Sequence, residues 1–155
     1  MAGKFRDTQQ TLLTLEQNMP YRLSVLSNKV NSIVANTYRE QFELSINEWR
    51  IIAILGECPG ESADEISFKT HIEKSLISRA IGKLLTRKLI DRKTSKEDKR
   101  RSEISLSDTG HQVYCEIMPV ALAYEEKLLS CLSREERNQF STLLAQLEKH
   151  VQTTK

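Results

Sequence analysis

Residues 73–93 read EKSLISRAIGKLLTRKLIDRK, and the fold follows from how that stretch is partitioned. Leu76, Ile77, Ala80, Ile81, Leu84 and Leu85 recur at helical spacing, while Lys74, Ser75, Ser78, Arg79 and Gly82 fall elsewhere on the wheel. Such a helix can bury one face in a core and offer small polar and basic groups on the other. Its tail, LIDRK (89–93), alternates well enough to be a short strand, as does SEISL (102–106). A charged connection, residues 94–101, joins the two and predicts a hairpin.

Working upstream, Ser62 followed by Glu65 in ESADEISF (61–68) is a capping box that opens a helix of barely two turns. A break at KTHI (69–72) separates it from the helix of the opening stretch. Two helices joined by a tight turn, then a hairpin, predict a winged helix-turn-helix. Before them, LSINEW (44–49) carries a second box, Ser45 with Glu48, and Leu44 and Trp49 stand where a hydrophobic staple belongs. That helix is expected to run through EWRIIAIL (48–55) and stop at GECPG (56–60). Earlier still, PYRLSVLSNKVNSIVANTYREQF (20–42) has Pro20 in its first turn and Leu23, Leu26, Val30, Ile33, Val34 and Thr37 on one stripe. FRDTQQTLLTLEQN (5–18) is a weaker amphipathic stretch with Leu12, Leu13 and Leu15.

Downstream, a helix starts at Asp108 and is expected to break at Pro119. The last helix opens with a third box, Ser133 with Glu136, and lines up Phe140, Leu143, Leu144, Leu147 and Val151. The predicted class is mainly α with a small β-hairpin, in a single domain over residues 1–155. Residues 44–107 form the winged lobe, and 5–40 and 108–151 a helical region.

At 155 residues, with 39% apolar and 28% charged positions, the chain has the composition of one globular domain. The longest apolar run, Ile51 to Leu55, is far short of the roughly 20 residues of a membrane span. MAGKFRDTQQ has no apolar signal-peptide core, so a cytoplasmic location is expected. Cys58, Cys115 and Cys131 share no metal-ligand spacing, and no metal or cofactor is expected. Cys115 and Cys131 fall on helical stretches and are read as small packing residues. The chain lacks a phosphate-cradling glycine loop, HExxH and GxSxG, and its histidines are isolated, so it is not expected to be an enzyme.

Charge is distributed unevenly. Between Lys83 and Arg101 nine basic residues face three acidic ones, a local charge of +6 in a chain whose net charge is +2. Such asymmetry is the electrostatic footprint of a nucleic-acid contact. The helix of the opening stretch would fit a major groove about 12 Å wide, presenting Lys74, Ser75, Ser78 and Arg79. Ser62, at the start of the preceding helix, joins that set. Lys96, Lys99 and Arg101 can neutralise phosphates, which supplies affinity without sequence preference.

From Leu44 to Leu106 the chain resembles the MarR family of bacterial transcription regulators, in LSINEWRIIAIL, EKSLISRAIGKLLTRKLIDRK, the wing motif EDKRR (97–101) and ISLSDTG (104–110). The likeness extends through IMPVALAYEEKLLSCLSREERNQFSTLLAQL (117–147). It implies that Asp98 orients a neighbouring arginine and that Arg100 contacts the minor groove. It also implies a homodimer built from the terminal helices, with recognition helices about 34–36 Å apart on a palindromic operator in double-stranded DNA. His71 stands where members often have glycine, and Ser67 and Lys69 replace residues that are frequently small or apolar.

The resemblance further implies an effector pocket between the dimer helices and the DNA-binding lobe, in members that respond to aromatic acids or their coenzyme A thioesters. Arg22 and Arg50 are candidate carboxylate partners, with His111, Ser27, Asn31 and Trp49 as further candidates. Trp49, given its staple position, is read as core ahead of ligand contact. The expected function is a sequence-specific DNA-binding regulator, a homodimeric repressor relieved by a small molecule. The alternatives are a winged-helix module that docks an acidic protein partner and a cysteine-based redox sensor.

Overall fold

The computed structural model describes residues 14–94 and 102–154, and it divides into two compact units, one ending at Ile46 and the other beginning at Asn47. The first unit holds a single 3-10 turn, Leu15–Gln17, and α1, Met19–Phe42. Asn18 caps α1 by accepting a hydrogen bond from the Tyr21 backbone N–H at 3.0 Å, and Pro20 sits in the first turn as its fixed φ allows. Glu43, in the left-handed region at φ 53°, closes the helix through its N–H to the Arg39 and Tyr38 carbonyls. The predicted stripe is mostly uncovered among the described residues. Leu23, Leu26 and Ile33 are exposed, Val30, Val34 and Thr37 are half-buried, and burial is reserved for Tyr38 and Leu44. Leu15 is exposed on the 3-10 turn, while Phe5, Leu12 and Leu13 lie outside the described residues.

The second unit begins in α2, Ile46–Glu57, whose first residue directly follows Ser45 as the sequence predicts. α3, Ala63–Thr70, and α4, Lys74–Thr86, come next. An antiparallel hairpin follows, β1 Ile90–Thr94 with β2 Ser102–Leu106, in a register that opposes Ile90 to Leu106 and Thr94 to Ser102. α5, Asp108–Leu129, and α6, Arg134–Thr153, complete it. The core of this unit collects Ile51, Ile52 and Leu55 of α2, Ile66 of α3, Ile77, Ile81 and Leu84 of α4, Ile104 of β2 and Ile117 of α5, all at 0% exposure. Each such side chain contributes about 1.5–3 kcal/mol through the apolar surface removed from water.

Three sequence expectations change. Pro119 does not interrupt the helix that starts at Asp108, for α5 continues through it to Leu129. Proline removes one N–H and so cannot bond the carbonyl four residues earlier, a loss that a long, otherwise bonded helix can absorb. Cys115 and Cys131 are exposed rather than packed: Cys115 lies on a face of α5 away from the buried Ile117, and Cys131 falls not on a helix but in the turn between Leu129 and Arg134. On α4, Leu76 is exposed and Leu85 only half-buried, so the buried face narrows to Ile77, Ala80, Ile81 and Leu84.

The junction between hairpin and α5 is unusually tight. The Ser107 hydroxyl donates to the Lys88 carbonyl at 2.7 Å and accepts from the Gly110 N–H at 3.0 Å, capping α5. A Cβ on Gly110 would overlap the Leu89 carbonyl oxygen, so only glycine allows this approach. At the other end of α5, Arg137 ties the turn into α6. Its Nε donates to the Leu129 and Leu132 carbonyls at 3.1 and 3.2 Å, and its Nη1 reaches the Glu126 carboxylate at 2.9 Å.

Candidate nucleic-acid interface

α3 is short and therefore depends on its ends. The Ser62 N–H donates to the Glu65 carboxylate at 2.8 Å and the Glu65 N–H donates to the Ser62 hydroxyl at 3.3 Å, completing the predicted capping box. That hydroxyl also donates to the Glu65 carboxylate at 2.8 Å, so Ser62 holds the helix-turn-helix together as well as standing beside it. At its C-terminus α3 ends on His71, in the left-handed region at φ 53°. This is the conformation for which glycine is the natural choice. The two other unusual residues of this turn secure it. The Ser67 hydroxyl donates to the Ile72 carbonyl at 2.7 Å, and the Lys69 ammonium pairs with Glu61 at 2.7 Å. Donation of a hydrogen bond to the Glu61 carboxylate holds the Lys69 pKa above its ordinary value, against a smaller opposing effect of burial.

With the turn fixed, α4 presents its outer face. Lys74, Ser75, Ser78 and Arg79 are exposed, as are Gly82 and Lys83, while Ile77, Ala80, Ile81 and Leu84 anchor the opposite side. The expected contact set on this helix is therefore brought together on one surface. Lys74 pairs with Asp64 across the turn at 2.8 Å, Ser75 donates to Glu73 at 2.9 Å, and Arg79 Nε donates to the Ser75 carbonyl at 3.3 Å. The acidic partners Asp64 and Glu73 were not singled out from the sequence. Glu73 is adjacent to the helix start, but Asp64 meets Lys74 only because the turn folds back. Around Gly82 an added Cβ would meet nothing within 4 Å, so the chain's own packing does not require a glycine there.

Along β1 only Ile90 is buried, and Asp91, Arg92, Lys93 and Thr94 are exposed. The strand pair thus carries Arg92 and Lys93 out beside α4 on an extended scaffold. The wing-tip residues Lys96, Asp98, Lys99, Arg100 and Arg101 lie outside the described residues.

The effector candidates divide between the units. On α1, Arg22 and Ser27 are exposed and Asn31 is half-buried, with the Asn31 amide donating to the Ser27 hydroxyl at 3.4 Å. In the second unit Trp49 and Arg50 are half-buried on α2, and His111 is exposed on α5. Trp49 stacks on Tyr114 with ring centroids 6.5 Å apart, and Gly56 approaches so closely that an added Cβ would lie 2.5 Å from the Tyr114 ring. Tyr114 is thus an aromatic neighbour of Trp49 that the linear pattern did not indicate. Among the described residues, no group of three or more His, Cys, Asp or Glu side chains could hold a metal ion, and no helix is long and apolar enough to cross a membrane.

Comparison with known proteins places this geometry. A model of the MarR family matches residues 42–101, from the end of α1 through the wing. The HTH-type transcriptional regulator BilQ of Clostridium symbiosum is 24% identical over 87% of this chain and 93% of its own. The crystal structure of a MarR/EmrR family transcriptional regulator from Acinetobacter sp. ADP1 shares 27% identity and a TM-score of 0.85, covering 92% of this chain and 100% of that one. The S. aureus MepR–DNA complex has the same fold, with a TM-score of 0.76 at 22% identity over 86% of this chain and 98% of that chain.

Proposed function

We propose that this chain, a winged helix-turn-helix transcription regulator of the MarR type, acts in the cytoplasm as a homodimer that binds a palindromic operator in double-stranded DNA and represses transcription. One observation carries the reading. The outer face of α4 is exposed along its length and lined by Lys74, Ser75, Ser78 and Arg79, while its inner face is locked into the core. A helix so mounted can enter a major groove without distorting the fold behind it. That a protein of the same fold has been crystallised with DNA supports the same assignment.

The roles divide by chemistry. Ser78 and Arg79 lie one turn into α4 and read base edges; Lys74 and Ser75, at its leading end, meet bases and phosphates. In the wing, Lys96, Lys99 and Arg101 neutralise phosphates and Arg100, aimed by Asp98, enters the minor groove. Ser62 sets the phosphate-facing start of α3. Residues 44–107 act as the DNA-binding lobe, with dimerisation through 5–40 and 108–151. Phe140, Leu143, Leu144, Leu147 and Val151 support that division, because α6 has no buried residue and all five are exposed along one helical stripe. A second copy of this chain would cover them.

A small molecule relieves repression by favouring a spacing of the two lobes that no longer matches successive grooves, which requires differential affinity for the two states. An aromatic acid or its coenzyme A thioester is the class proposed. Within the second unit, Arg50 and His111 would meet its charge and the stacked Trp49 and Tyr114 its ring; on α1, Arg22, Ser27 and Asn31 are separate candidates by their chemistry alone.

The test is binding of the full chain to palindromic duplexes across a salt series. The reading expects sequence preference and a steep salt dependence. Arg100→Ala should weaken binding while leaving folding and dimerisation intact, and Lys96→Ala should weaken all sequences alike and flatten the salt slope by about 1. Weak binding with no preference at any ionic strength would instead favour docking to an acidic protein. A thermal-shift screen of aromatic acids and their thioesters tests the effector class, since a ligand selective for the native state raises its stability.

A further inference from the structure

Resting on the assignment of α4 as the DNA-recognition helix, we propose that Asp64 and Glu73 are specificity-determining residues that compete with DNA for Lys74 and Ser75. Asp64 holds the Lys74 ammonium at 2.8 Å, with both side chains about three-quarters exposed, and Glu73 accepts from the Ser75 hydroxyl at 2.9 Å. Both carboxylates therefore stand at the leading end of α4, the end that enters the groove first.

An unmodified helix N-terminus attracts anions, because its free N–H groups and the helix dipole favour negative charge. Here that attraction is already answered. Glu73 occupies the N-cap position of α4 and makes no side-chain capping bond, so its charge stays at the helix mouth while its carboxylate engages Ser75. A phosphate approaching this end must displace Asp64 from Lys74 and come close to two carboxylates, with nothing to compensate them. A matched base sequence offers what a phosphate lacks. Amino groups of cytosine and adenine in the major groove can donate to the carboxylates, and guanine N7 and O6 can accept from Lys74. The two acids thus raise the cost of backbone-only binding more than that of base-matched binding, which is discrimination by an element that disfavours the wrong partner.

The experiment uses the full chain and two duplexes: one that the wild type enriches from a randomised library, and a scrambled duplex of the same composition. Asp64→Asn and Glu73→Gln should each tighten binding to the scrambled duplex about three- to fivefold, the scale of an exposed ion pair, with little change on the enriched one. The specificity ratio falls accordingly. Introducing Lys74→Met should remove most of the Asp64→Asn gain, as a coupled pair requires. Equal gains on both duplexes, unchanged or weaker binding, or an undiminished gain in the Lys74→Met background would each overturn the proposal. A wild type that enriches no sequence and binds neither duplex would overturn the DNA-binding assignment itself, and this inference with it.

Discussion

α4 and α6 are both amphipathic helices of the second unit, yet one is finished by its own chain and the other is not. On α4 the apolar face is closed over Ile77, Ala80, Ile81 and Leu84, and apart from Leu76 what remains exposed is small, polar or basic. On α6 the exposures run from 39% at Leu144 to 68% at Val151, with no residue buried at all. A helix held by its own core can serve as a rigid reading surface. A helix whose apolar stripe is left exposed among the described residues is suited to association, because that much hydrophobic surface is rarely left in water. The same amphipathic pattern therefore encodes two different jobs, and the deciding variable is whether the rest of the chain covers it.

The sharpest way to break the comparison is to charge the α6 stripe. If α6 forms the proposed dimer interface, Leu143→Asp with Leu147→Asp should leave a monomer in sedimentation or light scattering, since burying two unpaired carboxylates costs several kcal/mol each. Retained dimerisation would remove α6 from the interface. Next in size, Ile81→Ala on α4 should cost about 2–5 kcal/mol in denaturant unfolding by opening a cavity in the core. The corresponding change at an uncovered position, Leu143→Ala, should show its effect as weaker subunit association that depends on protein concentration. Arg79→Ala should leave unfolding unchanged and cost about 1–3 kcal/mol of discrimination between duplexes. A uniform loss across sequences would reassign Arg79 to a phosphate. Smallest of all, Gly82→Ala should stabilise the fold by about 1 kcal/mol, the helix-propensity difference, since the space beside it is empty. Weaker DNA binding in that same variant would show that the backbone there approaches the groove closely.

Much of the fold could be read from local rules. The boxes Ser62 with Glu65 and Ser133 with Glu136 form as the spacing predicts, and both strands fall within a residue of their expected limits. These features were legible because the interactions that make them span three residues or one hairpin. Pro119 misled for the same reason, since a local breaking rule lost to the rest of a long helix. The exposed side of α4 was readable from its wheel, but the Asp64 and Lys74 pair was not, because residues ten positions apart meet only through the turn. Gly56 against Tyr114 is likewise a tertiary contact with no trace in spacing.

Gly110 gives the architecture a mechanical property. With its Cα pressed on the Leu89 carbonyl and Ser107 bonded to the Lys88 carbonyl, the start of α5 is clamped to the exit of α4. α5 is 22 residues long, which is about 33 Å of helix at roughly 1.5 Å per residue. A tilt of about 5° at its far end, where Arg137 fastens α6, displaces that end by about 3 Å relative to the clamp, so α5 is a lever arm with α4 at its fulcrum.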